Sequence, residues 1–569
     1  MKTSADSVKP NPMPHKVGRP SICEAEPAAL KRWLDQLPHD NVGESAARTY
    51  EAITELNQCQ LQAKPRFQLL EIIRPVIHSI CESLSVYLRA QPAVLAPIAY
   101  KVLQLTQQIQ TELARGYELL IEPMATRPRR YGLGVTRIQK KRQELVATAL
   151  HRALNERTRC LFRCQLLYTD IGTDQWQPIH HLYRKAFDQK LQHSAFADRV
   201  GGNTCPMSIE QCYIKALLLG GLHANQLRQE DLLQAFEYMP EWVMLTELAP
   251  YSQPDEDQLV VDLDSSKPPV FSGSTEAPAD PMHWRLLLVD KLLYHLGEQL
   301  ANDAHNTLSD NLVKHLLISW GSNTPRVLPR LESHETLSVC VGLASLHFFS
   351  AGKVHYHDFL NGTSSLARPP SGRGATGAST SEAGFGNERS HCCYEIRAVN
   401  VSQGGYGLAW PEQASERVHN GDILGIRIGQ YGTWGIGMVS WLRRSEGQPT
   451  QLGVQLLGPS VQPFGAREAA MAGSVASVSG EYHRVLFLPA IVPINQPASL
   501  ITPAQLFREG THLILVQQGR KIEVCLSRLL TAKGSFHHFE VEVISQPWIE
   551  AQHDFNDLGD SLTADWPAL

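Results

Sequence analysis

The sequence predicts a multidomain α+β protein, in which a mainly helical N-terminal region precedes two small β domains. With 569 residues, the chain is long enough for several folding units of roughly 150 residues each. Up to about position 360, apolar residues recur every three or four positions, whereas beyond about position 390 they alternate with polar ones. A stretch rich in glycine and serine separates the two patterns, and we therefore expect the architecture to change there.

The composition of the chain excludes some classes of function. The net charge is −5 and 43% of the residues are hydrophobic, which is ordinary for a globular protein. Such a balance gives no overall attraction to nucleic acid polymers or anionic membranes. No apolar run approaches the roughly 20 residues that span a bilayer, and the N-terminus lacks a secretory signal. We therefore expect a cytoplasmic protein with no nucleic acid partner and no membrane insertion, its eleven cysteines reduced.

The predicted helical region covers residues 24–360, as one or two domains, after a polar, proline-punctuated and disordered N-terminus at 1–23. The clearest helical pattern runs over Phe67–Leu88, where Pro75 is expected to break or kink the segment. A strand or hairpin insertion is expected over Gln258–Ser272. Further helices are predicted over 94–120, 138–168, 208–222, 229–243, 281–301 and 308–320, with a buried core helix at Val339–Phe349.

The C-terminal third is predicted to contain two β domains. Residues 361–390 hold six glycines and six serines and form the predicted flexible linker. Short alternating runs over 391–468 indicate a small barrel of five or six strands, and those over 481–548 indicate a second, barrel-like domain. Residues 549–569 are predicted to form a solvated acidic tail.

Catalytic and metal-binding motifs are largely missing from the sequence. It contains no GxxxxGK[ST], HExxH or GxSxG motif. Cys160 and Cys164 lie one helical turn apart, near His180 and His181, but core packing explains them better than a metal site with four convergent ligands. We predict no metal, no cofactor and no enzymatic turnover. A weak alternative is an enzyme of unrecognised type that uses His180, His181 or the basic cluster at 127–142.

One polar, glycine-rich string stands out in the first β domain. It runs from Arg397 through Asn400 and Ser402 to Gly405, at the end of a predicted strand. Asn400 and Ser402 lie two positions apart and so project from the same face of a strand, while Gly405 allows a ligand or backbone to approach closely. This combination suits recognition of a nucleobase edge, and an ordinary β-turn is the alternative explanation.

The string resembles the [D/N]xSxxG motif of PilZ domains. Downstream, Gly437–Trp441 and Leu452–Leu456 resemble later strands of the PilZ barrel. Two stretches of the helical region, Trp176–Tyr183 and Ala216–Leu222, are similar to the long N-terminal part of large PilZ proteins of gammaproteobacteria such as pseudomonads.

The resemblance implies a ligand, cyclic di-GMP. Asn400 and Ser402 would then hydrogen-bond guanine edges, and Gly405 would permit close approach. PilZ domains hold the rest of the dinucleotide with an upstream RxxxR motif, which has no exact match here. Arg368 and Arg373 are one residue too far apart, and Arg389 and Arg397 are the alternative arginines.

Two hypotheses of different class follow. The first is a cyclic di-GMP effector that couples binding at the PilZ domain to an unidentified protein partner of the helical region, in motility or surface attachment. The second is a scaffold or adaptor whose degenerate PilZ domain no longer binds nucleotide, which the missing RxxxR favours.

Overall fold

The computed structural model describes most of the chain. The described residues are 25–38, 40–125, 133–170, 173–200, 203–301, 308–322, 330–362, 391–402, 404–412, 414, 417–429, 431–469, 481–491, 495–518 and 520–544. The chain divides into two compact units. The first comprises Met1–Gln91, Leu95–Ala224 and Gln229–Thr324, and the second comprises Pro92–Val94, Asn225–Arg228 and Pro325–Leu569.

The first unit is mainly helical. Its helices are α1 (Pro27–Asp35), α2 (Val42–Gln58), α3 (Ala63–Ser85), α4 (Pro97–Ala125), α5 (Leu133–Leu166), α6 (Thr173–Asp188), α7 (Ile209–Gly220), α8 (Gln229–Val243), α9 (Asp290–Ala301) and α10 (Asp310–Gly321). Each amphipathic helix buries its apolar face, as α3 does with Leu69, Ile73 and Ile77. A capping box formed by Ser208 and Gln211 starts α7.

Two small antiparallel sheets complete the first unit. Strands β1 (Ala195–Asp198) and β2 (Asn203–Ser208) form one of them. The other has the order β3-β6-β4-β5, with β3 (Glu247–Pro250), β4 (Leu259–Asp262), β5 (Val270–Phe271) and β6 (Trp284–Leu288). The predicted strand or hairpin over Gln258–Ser272 is therefore present as β4 and β5.

Two local predictions for the first unit differ from the structure. Helix α3 continues through Pro75, so the break that was one of the two predicted effects of this proline is absent, because packing of the buried face of the helix outweighs the loss of one backbone hydrogen bond. The helix predicted over 281–301 is instead β6 followed by α9, since the apolar run at Leu286–Leu288 pairs with β3 and β4.

A buried charge network stabilises the first unit. The Arg74 guanidinium, on α3, contacts Glu156 of α5 at 2.8 Å and Asp198 of β1 at 2.7 Å, and all three residues are buried. His78 Nε2 and the Gln110 amide also contact the Glu156 carboxylate, each at 2.8 Å. The network thus joins α3, α4, α5 and β1 through groups that satisfy one another.

The first β domain of the second unit is a closed barrel of six strands. Its strands are β8 (Thr336–Val341), β9 (Tyr394–Ser402), β10 (Gly405–Trp410), β11 (Ile423–Ile428), β12 (Gly435–Arg443) and β13 (Thr450–Gly458). They follow the order β10-β13-β12-β11-β8-β9, and β9 also pairs with β10, which closes the barrel. A short strand, β7 (Leu331–Glu332), extends the pairing at the end of β9.

The barrel takes part of its structure from before residue 361. Val339–Phe349, predicted as one buried helix, is divided between β8 and α11 (Gly342–Ser350), and α12 (Tyr356–Asn361) follows. Strand β8 pairs with β9 on one side and β11 on the other. The range 24–360, assigned from sequence to the helical region, therefore contains a barrel strand, because a continuous apolar run does not distinguish strand from helix.

The second barrel is closed as well, in the order β14-β15-β16-β19-β18-β17. Its strands are β14 (Gln462–Glu468), β15 (His483–Leu488), β16 (Ser499–Pro503), β17 (His512–Gln517), β18 (Arg520–Ala532) and β19 (Phe536–Val543). Alternate side chains fill its interior, including Phe464, Phe487 and Phe539.

The predicted fold class, a mainly helical region followed by two small β domains, is confirmed. Predictions for the N-terminus at 1–23 and the tail at 549–569 fall outside the described residues, as do those for residues 363–390 of the linker. Within the described parts of the chain, no helix is both long and apolar enough to cross a membrane.

Candidate functional site

The predicted motif forms the hairpin between β9 and β10. Asn400 lies opposite Gly407 in the strand pair, and its side-chain amide covers that glycine. A Cβ atom at position 407 would lie 2.7 Å from both Asn400 Oδ1 and Asn400 Nδ2. Gly407 therefore leaves the space in which the Asn400 amide lies against the outer face of the barrel.

Ser402 and Gly405 shape the turn. The Ser402 hydroxyl donates a hydrogen bond to the Gly405 carbonyl at 3.4 Å. Gly405 has φ = +154°, and a Cβ atom there would overlap the Val454 carbonyl oxygen on β13. The close approach predicted at Gly405 is thus made by the backbone of β13, and the glycine is needed for β10 to pair with that strand.

Two paired glycines lie between Asn400 and Trp441 on the outer face of the barrel. Gly407 pairs with Gly453 of β13, which pairs in turn with Trp441 of β12. The Trp441 indole lies directly over Gly453, where a Cβ atom would overlap it. In this row the Asn400 amide therefore covers Gly407 at one end, and the Trp441 indole covers Gly453 at the other.

An open cleft of about 500 Å³ lies beside this row. Its walls come from three parts of the second unit: the segment around β7, strands β9 and β10, and the turn between β12 and β13. The lining residues are Glu332, Ser333, His334, Arg397, Val399, Asn400, Ala409, Gln448, Pro449 and Gln451. A volume of this size suits a small-molecule ligand.

Arg397 enters the cleft from β9. Its Nη2 donates a hydrogen bond to His334 Nδ1 at 2.8 Å, so that this imidazole nitrogen is the acceptor. Both side chains are exposed. The bond orients a guanidinium at the cleft without burying its charge, which leaves its other N–H groups available to a bound anion.

The segment around β7 reaches the cleft by pairing with β9. Leu331 lies opposite Val401 and Glu332 opposite Asn400, and the Ser333 N–H then donates to the Val399 carbonyl at 3.1 Å. Sequence reasoning missed Glu332 and His334 because this pairing joins segments on either side of the glycine- and serine-rich stretch. No local motif marks such a pairing.

The structure brings some of the predicted site residues together, and others lie outside the part of the chain that it describes. Arg397 and Asn400 line one cleft, while Ser402 and Gly405 lie at the end of the same hairpin. Arg368, Arg373 and Arg389 lie outside the described residues.

The residues considered for a metal site or a catalytic site lie in the first unit. His180 is buried, with Nδ1 at 2.7 Å from the Tyr213 hydroxyl and Nε2 at 2.8 Å from the Lys267 carbonyl. Cys160 and Cys164 are also buried, and burial raises the pKa of both thiols. His181 is exposed. Among the described residues, no group of three or more His, Cys, Asp or Glu side chains is placed to hold a metal ion.

Three family models match the chain in consecutive order. The model described as "Cyclic-di-GMP receptor FimW, N-terminal domain" matches residues 28–254. The model described as "Cyclic-di-GMP receptor FimW, middle PilZ domain" matches 258–384 and 373–463, the part that contains β9, β10 and the cleft. The chain is a PilZ-domain protein. The "FimW C-terminal beta-barrel domain" model matches residues 470–544, within the second barrel.

One similar protein aligns with the chain over most of the length of both. The chain is 28% identical over 566 residues to a protein of Pseudomonas aeruginosa named "Cyclic-di-GMP receptor FimW", with 91% of each chain covered. No solved structure matches. The predicted resemblance to PilZ-domain proteins is therefore confirmed by matches that extend through both units of the chain.

Proposed function

We propose that this chain is a cyclic di-GMP receptor that binds the dinucleotide in the cleft beside β9 and β10. The observation that carries the proposal is the placement of Arg397 and Asn400 together in an open cleft of about 500 Å³ on the PilZ barrel. The relative's name, which describes a cyclic di-GMP receptor, supports it from outside the structure.

Each polar group has a role in this proposal. The Asn400 amide offers one donor and one acceptor to a guanine edge, and the Ser402 hydroxyl at the turn offers a further hydrogen bond. Gly407 and Gly453 leave room for the Asn400 amide and the Trp441 indole to lie close against the strands on the outer face of the barrel. Arg397, already oriented by His334, binds a phosphate or stacks on a base.

Further arginines of the preceding segment complete the site in this proposal. Arg368, Arg373 and Arg389 replace the missing RxxxR motif and reach the phosphates of the bound dinucleotide. Binding then fixes this segment against the barrel and changes the surface that the helical region offers to a protein partner, without catalytic turnover. Control of motility or surface attachment is the output that the family implies.

Calorimetric titration with cyclic di-GMP tests the site. Asn400→Ala and Arg397→Ala are each expected to weaken binding by roughly ten- to hundredfold, because each removes a charged or polar contact worth about 1.5–3 kcal/mol. Arg528→Ala is the matched control, since that arginine forms an exposed ion pair with Glu540 on the second barrel. Unchanged affinity in both cleft variants would move the site elsewhere.

A second titration series tests the arginines of the preceding segment. Arg368→Ala, Arg373→Ala and Arg389→Ala are compared singly and as an Arg368/Arg373 double variant, in low and moderate salt. Removal of an arginine that binds phosphate should lower the affinity and reduce its dependence on salt. Limited proteolysis across 361–390 should slow when cyclic di-GMP is added, and an unchanged cleavage rate would contradict the ordering of this segment.

The adaptor hypothesis is the alternative. It is favoured by the absence of an exact RxxxR and by the internal roles of Asn400, Ser402 and Gly405, all of which also stabilise the hairpin without a ligand. Absence of binding heat in the wild type at high micromolar cyclic di-GMP would support it over the receptor proposal.

A further inference from the structure

The cleft contains a carboxylate that the motif itself does not supply. The first position of the motif is Asn400, whose neutral amide presents one donor group and one acceptor oxygen. A guanine base, by contrast, presents two neighbouring donors, N1–H and the 2-amino group, on its Watson–Crick edge. An acceptor-only group with two oxygens matches that pair of donors, and a carboxamide does not.

Glu332 holds the position from which such a group could act. In the antiparallel pair of β7 and β9, Glu332 lies directly opposite Asn400, so the two side chains project from the same side of the sheet. Both line the cleft. The Glu332 side chain is exposed, and within the described residues no hydrogen bond or ion pair occupies its carboxylate.

The backbone around Glu332 is held firmly enough to position it. The Ser333 N–H donates to the Val399 carbonyl at 3.1 Å, and the Ala398 N–H donates to the Glu335 carbonyl at 2.9 Å. The segment from β7 to β8 therefore runs alongside β9 as one nearly continuous strand. A carboxylate on a paired strand is better oriented than one on a free loop.

Charge is distributed along the cleft in a way that suits a nucleotide. Arg397 and Asn400 lie three residues apart on β9, a span of roughly 10 Å in an extended strand. The cationic end of the cleft is therefore Arg397, and the anionic end is Glu332, beside Asn400. A dinucleotide bound with a phosphate towards Arg397 and a base towards Asn400 keeps its negative charge away from Glu332.

We infer that Glu332 is a specificity-determining residue for guanine in this cleft. Its two carboxylate oxygens accept hydrogen bonds from guanine N1–H and the 2-amino group, while Asn400 contacts the same base from the neighbouring strand. The inference rests on the proposed function, because it assigns a role within the same cyclic di-GMP site.

The test compares two ligands against three forms of the full-length chain. Calorimetric titrations use cyclic di-GMP and its hypoxanthine analogue, cyclic di-IMP, which lacks the 2-amino group. The forms are the wild type, Glu332→Gln and the matched control Glu335→Gln, which changes an exposed carboxylate of the same segment that does not line the cleft.

Glu332→Gln should weaken cyclic di-GMP binding by roughly ten- to hundredfold, the effect of losing a charge-assisted pair of hydrogen bonds. It should weaken binding of cyclic di-IMP by a clearly smaller factor, because that ligand never makes the contact with the 2-amino group. Glu335→Gln should bind both ligands as the wild type does.

Two results would overturn the inference while leaving the proposed function intact. They are wild-type affinity of Glu332→Gln for cyclic di-GMP, and an equal loss of affinity for the two ligands. A wild-type chain that binds neither ligand would instead remove the proposed function, and the inference with it.

Discussion

Charged side chains serve different ends in the first unit and in the barrel of β8–β13. In the first unit, the buried Arg74 guanidinium binds the buried carboxylates of Glu156 at 2.8 Å and Asp198 at 2.7 Å. In the barrel, Arg397 and Glu332 are exposed at an open cleft. Buried charges demand exact partners inside the fold, whereas exposed charges at a concave surface retain their capacity for a ligand.

The buried network also fixes the protonation state of the Glu156 carboxyl. Burial alone would raise the pKa of the Glu156 carboxyl, but His78 and then Arg74 outweigh it and hold that pKa below its ordinary value. The carboxylate is therefore charged in the folded chain and is committed to its partners. Substitutions in the network should act on the free energy of unfolding, and substitutions in the cleft should act on affinity.

The largest effect is expected at the buried network. Glu156→Ala leaves the Arg74 guanidinium partly uncompensated in the interior, at a cost of about 3–5 kcal/mol in the free energy of unfolding. The matched control is Glu247→Ala, whose ion pair with Lys291 is exposed and should contribute less than about 1 kcal/mol. Urea denaturation measures both. Equal losses would break the distinction between buried and exposed charge.

A smaller loss in the free energy of unfolding is expected for a substitution at Gly405, which belongs to the proposed binding motif and also shapes the hairpin. Gly405→Ala forces β10 away from β13 because the new Cβ would overlap the Val454 carbonyl oxygen, and it should cost about 2–3 kcal/mol. Gly447→Ala is the control: φ is +71° there, but no atom lies near the new Cβ, so about 1 kcal/mol is expected. If both variants lose the same stability, the close approach of β13 to Gly405 is not what requires glycine.

Buried histidines should make both units sensitive to acid. Burial lowers the pKa of His151 to about 4 in the first unit, and burial together with Arg484 lowers that of His347 to about 3 in the second. Both are neutral in the folded chain, whereas the unfolded chain takes up protons below the ordinary value of 6.5. Stability is therefore complete above about pH 6.5 and is lost as the pH falls towards these lowered values.

The expected loss at pH 5 is about 2 kcal/mol for each histidine. Urea midpoints between pH 5 and 7.5 measure it, and His151→Gln and His347→Gln should each flatten the pH dependence. His357→Gln, which changes an exposed ring, is the control. A pH dependence that stays as steep in both buried-site variants would rule out these two histidines as its cause.

The smallest stability effect is expected in the cleft. Arg397→Ala removes an exposed side chain whose hydrogen bond goes to the exposed His334, so the free energy of unfolding should change by less than about 1 kcal/mol. The same variant should lose affinity for cyclic di-GMP, as proposed above. Thermal unfolding without ligand provides the measurement, and a loss comparable to that of Glu156→Ala would show that Arg397 stabilises the barrel.

Local patterns in the sequence were sufficient for much of the fold. The 3.6-residue periodicity predicted α8 over 229–243, where the structure has Gln229–Val243, and alternation predicted a small barrel over 391–468, where the structure has β9–β13. The Asn400 motif was predicted at the end of a strand that runs into a turn, and in the structure it spans the end of β9 and the turn into β10. In each case the decisive interactions lie within a few residues of one another.

Local sequence patterns did not predict which distant segments pair with one another. Strand β8 is a run of buried residues that continues into α11, and only its partners β9 and β11 make it a strand. Glu332 and His334 have no local feature that marks them, since their position in the cleft depends on the alignment of β7 with β9. Both omissions come from the same long-range register.

That register has a consequence for how the barrel can be made in isolation. A fragment beginning at residue 391, where composition places the boundary, would contain β9–β13 but not β8. The facing edges of β9 and β11 would then be unpaired, and exposed strand edges promote association with other chains. During synthesis, likewise, β8 leaves the ribosome well before either neighbour exists, and closure of the barrel must wait until β13, the last of its strands, has emerged.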